Sequence, residues 1–151
     1  MDVVGIGVPM YDMVMNVSRM PERDGATGAN EVFFQGGGKV ATAMVAAARL
    51  GKKAGMIAKV GAGRKGRFIL EDFRYNGVDV SACVTGEEGT DSPFCLSLSE
   101  EEHKTRIFIG KQGTAGQLQP EEIDWDYVKS AKILHLENGE EASAQAGRFA
   151  R

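Results

Sequence analysis

Three glycines stand directly before an alanine-rich run: Gln35-Gly36-Gly37-Gly38-Lys39-Val40-Ala41-Thr42, then Ala43 to Gly51. Residues without a Cβ let backbone amides come close to a ligand. The start of a helix adds unpaired N–H groups and the positive end of its dipole. A turn of this kind suits electron-rich oxygens, whether phosphate, carboxylate or sugar hydroxyl. Asp12 is the second candidate. It lies in Val8-Pro9-Met10-Tyr11-Asp12-Met13-Val14, where a carboxylate is costly unless it has a partner or a ligand. The alternative is an exposed residue on a half-buried strand, or a turn cap. These residues together point to a polar-ligand pocket near Gly36 to Lys39, with Asp12 as its partner.

Other chemistries are excluded by spacing. Gly5-Ile6-Gly7-Val8-Pro9-Met10 begins like a dinucleotide fingerprint, but Met10 takes the place of the third glycine and Pro9 stands where the phosphate-binding helix should start. Gly38-Lys39 resembles part of a P-loop, which needs serine or threonine directly after the lysine; Val40 stands there. His103 reads as solvated in a charged hairpin tip, and His135 as a core histidine in a buried strand. Glu100 to Glu102, Glu140 and Glu141 read as solvated surface. No histidine and carboxylate spacing fits a metal site, and no GxSxG nucleophile motif occurs.

The elements that must position Asp12 and the glycines alternate strand and helix. Val3 to Gly7 reads as a buried strand, Asp12 to Val17 as a second, and Glu31 to Phe34 as a third that enters the glycines. Thr42 to Leu50 is a helix closed by Gly51 as its C-cap. Ala54 to Val60 is one buried strand, and Arg64 to Asn76 an amphipathic helix. Val80 to Val84 is a brief strand. Pro93 to Leu98 and Thr105 to Ile109, separated by charged residues, form an antiparallel hairpin. That hairpin is expected to pack against Val32 to Phe34 as part of a small sheet off the main body. Glu121 to Lys129 is a short polar helix, Lys132 to Leu136 a buried strand, and Glu140 to Ala150 a surface helix. The sheet looks unfinished at that point.

With 151 residues, 42% hydrophobic and 26% charged, the chain has the composition of one soluble globular domain. A net charge of −3 with interleaved signs gives no footprint for nucleic acid or an anionic membrane. No stretch reaches the length of a transmembrane helix, and Met1-Asp2-Val3-Val4 lacks a basic signal region. Cys83 and Cys95 form no CxxC pair. They fit two structural thiols in a reducing cytoplasm, a disulfide between them being the alternative.

The assembled pattern resembles the PfkB, or ribokinase-like, carbohydrate kinases. It comprises the early Asp12 behind a Gly-x-Gly strand, a strand ending in Gly-Gly, and a helix ending Ala48-Arg49-Leu50-Gly51. It continues through Lys59-Val60-Gly61-Ala62-Gly63-Arg64-Lys65-Gly66, similar to the family's Val-Gly-x-Asp-x-x-Gly. Tyr75 to Ser81, the hairpin Thr90 to Ile109 and Ile133 to Leu136 follow in the expected order. The resemblance implies an α/β, Rossmann-type three-layer sandwich of the ribokinase-like kind, incomplete here, with a small β-sheet lid. Residues 1–151 would be its N-terminal portion, with lid strands within 12–35 and 91–110.

Activity and site residues follow from the same resemblance. It implies ATP-dependent phosphorylation of a sugar or sugar-like alcohol, in the cytoplasm, with ATP and Mg²⁺ held largely by residues outside this chain. Asp12 would bind hydroxyls of the acceptor, since a carboxylate accepts two at fixed geometry. Gly37 and Gly38 would contact the sugar through their amides, beside Lys39. Thr42 stands where the family carries asparagine, offering one hydroxyl in place of an amide's donor and acceptor. Gly63 replaces the aspartate that would cap the next helix. The lid would pair two subunits into a homodimer, with no nucleic acid or membrane partner.

The family's Gly-Ala-Gly-Asp motif, with its general base and anion hole, does not occur by Arg151, nor does its Mg²⁺-associated Asn-x-x-Glu. No catalytic residue is therefore assigned within 1–151, and the chain alone is expected to lack turnover. The alternative is a non-catalytic polyol-binding or oligomerisation module derived from such a kinase.

Overall fold

Short apolar strands and an alanine-rich helix fold into a layered body from which a four-stranded sheet projects. The computed structural model describes residues 1–137 and 141–149. In the body, β1 (Val3–Ile6) lies between β4 (Ala54–Ile57) and β9 (Ile133–Leu136), parallel to both. One face carries α1 (Lys39–Arg49) and α2 (Arg64–Tyr75), where Val40, Met44, Ile69 and Phe73 bury against Ala54 and Met56. The other face packs Val4, Ile6 and Ile57 against Val128 of α3 (Trp125–Lys129) and Ala142 and Ala146 of α4 (Glu141–Phe149).

Gly5 explains the false dinucleotide signal. A Cβ there would stand 2.5 Å from Val40 Cγ1 and 2.8 Å from Met44 Cγ. The glycine thus lets α1 pack closely on β1, and a second strand, not a phosphate-binding helix, follows Gly7.

That strand, β2 (Met10–Val17), starts the projecting sheet, whose order is β3 (Ala29–Gly37), β2, β7 (Phe94–Glu100), β8 (Arg106–Lys111). Side chains alternate between its faces, so cross-strand partners sort into rows. Phe34, Met13, Leu96 and Ile109 form one row, and Val32, Met15, Leu98 and Ile107 the next. Gln35, Asp12, Cys95 and Gly110 form a row on the opposite face. The root of the apolar face is closed by Tyr11, whose ring meets Phe68 of α2 edge-on at 4.9 Å.

Several expectations are corrected. The hairpin β7–β8 pairs with β2, not with Val32 to Phe34, because β2 takes the centre of the sheet and leaves β3 and β8 on opposite edges. Ala54 to Val60 is two strands, since the backbone leaves the main sheet at Ala58 and β5 (Lys59–Val60) pairs with β6 (Val84–Thr85). Val80 to Val84 contributes only its last residue to β6. Glu121 to Lys129 divides into a 3₁₀ turn, Pro120–Glu122, and α3. Helix α1 begins three residues early, at Lys39, and Leu50 is its cap; Gly51 follows with φ 79°.

The strand expected to be buried near the C-terminus, β9, is half exposed, with Ile133 63% accessible. His135 is accordingly exposed rather than a core residue, because among the described residues nothing covers the face of β9 that it shares with Ile133, while Leu134 and Leu136 pack on the other. Glu140 and Ala150 lie outside the described residues.

Glu100 is also corrected: it is buried, not solvated. Its carboxylate accepts from Thr105 Oγ1 at 2.7 Å, the Met20 amide at 2.9 Å and His103 Nδ1 at 3.1 Å. These contacts join the β2–β3 loop to the hairpin tip. The Thr105 bond, then the Met20 and His103 bonds, lower its pKa from 4.5 to about 2. A depressed carboxylate stabilises the fold above its unfolded pKa and loses that contribution as pH falls through the folded value. The tip of the projecting sheet should therefore open between about pH 4.5 and 2. Amide-exchange protection at Met20 and Glu100, corrected for intrinsic rates, should fall over that range. Glu100→Gln should abolish the dependence. Equal protection at pH 5 and pH 3 in the unsubstituted chain would contradict this account.

Candidate functional site

Strand β1 sits where the connections diverge, with β4 on one side and β9 on the other. In open α/β sheets the crevice beyond the carboxyl ends of such strands is where ligands bind. Here β1 leads through Gly7-Val8-Pro9 into β2, and β9 ends at Leu136, just before Glu137.

Asp12 is carried two residues into β2, paired with Gln35 and Cys95 in register. Its carboxylate lies on Gly37, so closely that a Cβ there would overlap it. Oδ1 is buried and has no hydrogen-bond partner among the described residues. Burial pushes the Asp12 pKa above its usual 3.8. A desolvated carboxylate with an unpaired oxygen is costly for the fold and suited to a ligand that donates hydrogen bonds.

The glycines serve distinct purposes. Gly38 is the N-cap of α1 with φ 100°, in the left-handed region, and a Cβ there would collide with the Val8 carbonyl. No side chain caps α1 and no acidic residue stands in its first turn. The opening amides of α1 are thus free of competition from their own helix.

Lys39 is largely solvated, its Nζ 3.9 Å from Glu137 Oε1. The other Glu137 oxygen accepts from the Val8 amide at 3.0 Å. Glu137 was not among the sequence candidates. Its signal is positional, a carboxylate directly after the apolar strand Ile133 to Leu136, at the carboxyl end where parallel sheets bind ligands.

Thr42 is placed differently. It faces α2 across a cleft of about 190 Å³ that it shares with Gly36, Gly37, Arg49, Asp72 and Asn76. The structure thus brings Asp12 to Gly37 and Lys39 to Glu137, with Gly38 between, and sets Thr42 on the other side of the Gly36-Gly37 backbone. At α2, Gly63 is the N-cap with no side-chain cap bond, as its departure from the aspartate implies. Cys83 and Cys95 are free thiols, and burial pushes Cys83 up to about 12.

Carboxylates at Asp12 and Glu137 supply acceptors, while Lys39 and the start of α1 supply donors. Among the described residues no group of three His, Cys, Asp or Glu side chains converges as a metal centre would. No helix of the described residues is long and apolar enough to cross a membrane.

The family model for pfkB family carbohydrate kinases matches residues 2–148. A 5-dehydro-2-deoxygluconokinase of Geobacillus kaustophilus is 29% identical over 135 residues, 89% of this chain and 39% of its own length. An ATP-dependent ribose-1-phosphate kinase of Halopiger xanaduensis is 30% identical over 134 residues, 89% of this chain and 45% of its own length. The chain thus spans less than half the length of these relatives. The fructokinase structure of Halothermothrix orenii superposes with a TM-score of 0.81 at 20% identity, covering 100% of this chain and 54% of that one. The α/β body with its projecting sheet is therefore the ribokinase-like fold, and the chain belongs to the pfkB family of carbohydrate kinases.

Proposed function

We propose that this chain is the N-terminal, acceptor-binding and lid portion of a kinase that transfers the γ-phosphoryl group of ATP, with Mg²⁺, to a hydroxyl of a sugar or sugar-like alcohol. The observation that carries this reading is the desolvated Asp12 carboxylate, laid against Gly37 at the start of α1 with Oδ1 unpartnered. Family membership supports phosphoryl transfer to a small hydroxyl compound. The two relatives named above act on different acceptors, and one is named as ATP-dependent.

In this reading Asp12 accepts hydrogen bonds from two acceptor hydroxyls. Gly37 and Gly38 contribute amides and Lys39 a cationic donor, while Thr42 lines the neighbouring cleft across the Gly36-Gly37 backbone. Nucleotide and metal belong to residues outside 1–151, and no step is assigned to them here. Positioning of the attacking oxygen by Asp12 is the contribution this stretch makes to rate.

The two apolar rows of the projecting sheet support assembly through the lid. Val32, Phe34, Ile107 and Ile109 are 46–58% accessible there. A continuous apolar face of this kind favours association, and we assign its cover to a second copy of the chain.

Asp12→Asn in the full-length kinase should raise the acceptor KM by about ten- to hundredfold, the worth of charge-assisted hydrogen bonds of about 1.5–3 kcal/mol. The KM for ATP should hold within about twofold. The same substitution should stabilise the unliganded chain. A carboxylate whose folded pKa is raised costs stability above that pKa, and the cost fades as pH falls towards 3.8. The melting temperature should rise at pH 7, with the gain closing as pH falls towards 3.8. An unchanged acceptor KM would remove Asp12 from the site.

Light scattering should find dimers, and Ile107→Glu, placing a charge at the centre of the apolar face, should yield monomers. A strictly monomeric unsubstituted chain at high concentration would exclude lid-mediated pairing.

A further inference from the structure

The Gly36-Gly37 backbone lies between two carboxylates that come from different parts of the fold. Successive residues of β3 point to opposite faces. On one face Asp12 covers Gly37. On the other, Asp72 of α2 covers Gly36, where a Cβ would stand 2.5 Å from Asp72 Oδ2.

Asp72 is itself braced. Asn76 Nδ2 donates to the Asp72 carbonyl at 2.8 Å and to its Oδ1 at 3.3 Å. Asn76 Oδ1 accepts from Arg49 Nε at 2.9 Å and Nη2 at 2.6 Å. The end of α1, the end of α2 and the last residues of β3 are thereby linked in one chain of contacts. Tyr11, the cross-strand partner of Gly36, packs on Phe68 of the same helix.

We infer that Asp72 is a positioning residue for the acceptor site, acting on Asp12 through the Gly36-Gly37 backbone. Helix α2 cannot touch the Asp12 carboxylate, but it fixes the strand on which that carboxylate rests. Without the Asp72 side chain, the cleft beneath Gly36 enlarges and the strand settles towards α2, carrying Gly37 away from Asp12. The consequence for the acceptor rests on the reading of Asp12 given above; the consequence for the strand does not.

The test uses Asp72→Ala, Asp72→Asn, Gly36→Ala and the Gly36→Ala/Asp72→Ala pair, with two readouts. Amide exchange at Gln35 and Gly37, the β3 residues paired with Asp12 and Met10, should speed up about tenfold in the unliganded Asp72→Ala chain and stay near the parent rate in Asp72→Asn, which keeps the contact. Gly36→Ala should also speed exchange. The pair should match Asp72→Ala alone, because the added methyl then meets empty space and the effects are not additive.

In the full-length kinase the same variants should raise the acceptor KM in the same order and leave the KM for ATP unchanged. A mere loss of folded protein would lower kcat without that split. Parent-like exchange in Asp72→Ala, or additive effects in the pair, would overturn the inference. Should Gly36→Ala fail to fold, the Asp72→Ala and Asp72→Asn comparison still decides it. If exchange responds as expected but the parent kinase phosphorylates no sugar or polyol, the proposed function fails and the positioning role stands.

Discussion

Steric access at one short stretch of backbone governs this molecule. Between β3 and α1 there is room for the main chain and almost nothing else. A Cβ on Gly36 would meet Asp72, one on Gly37 would meet Asp12, and one on Gly38 would meet the Val8 carbonyl, and the φ of 100° at Gly38 disfavours any side chain. Each contact comes from a different element: α2, the lid strand β2, and the turn that leaves β1. Placing the three glycines in sequence therefore lets body, lid and helix start meet at one point. The amides of α1 face the crevice because the chain arrives there without Cβ atoms.

Asp12 shows the conflict between stability and site. A carboxylate at that depth, with one oxygen lacking a partner, works against folding. The projecting sheet nonetheless holds it, since β2 is an interior strand, paired to both β3 and β7. Apolar rows from Val32 to Ile109 lie on one side of the same sheet. The other side is mixed, with the row of Asp12 and Cys95 next to one that carries Phe33, Val14, Ser97 and Phe108. Glu100 supports the sheet at the far end by tying the two hairpins together.

Local sequence carried a good deal of this. The helices α1 and α2, the alternating strands of the lid and the glycine turn were all legible from apolar spacing and from residues with strong conformational preferences. The carboxylate in an apolar strand marked Asp12, and order along the chain identified the family resemblance. Glu137 was not legible, because a glutamate after a strand is ordinary until that strand is known to end beside β1. His135 and Glu100 misled in opposite directions. Alternation within an apolar strand says which residues share a face, but not whether anything covers that face. A charged run does not reveal that one of its members finds three hydrogen-bond donors.

What the sequence by itself determined is the set of local conformations: where the backbone turns, where it coils, and which side chains share a face. Those depend on steric preferences within a few residues. What only the tertiary structure decided is partnership between distant residues. The order β3-β2-β7-β8, the pairing of Glu137 with the Val8 amide, the turning of Thr42 towards α2 and the approach of Asp72 to Gly36 all join residues far apart in the chain. Such contacts are set by packing of whole elements, and no local preference encodes which element arrives.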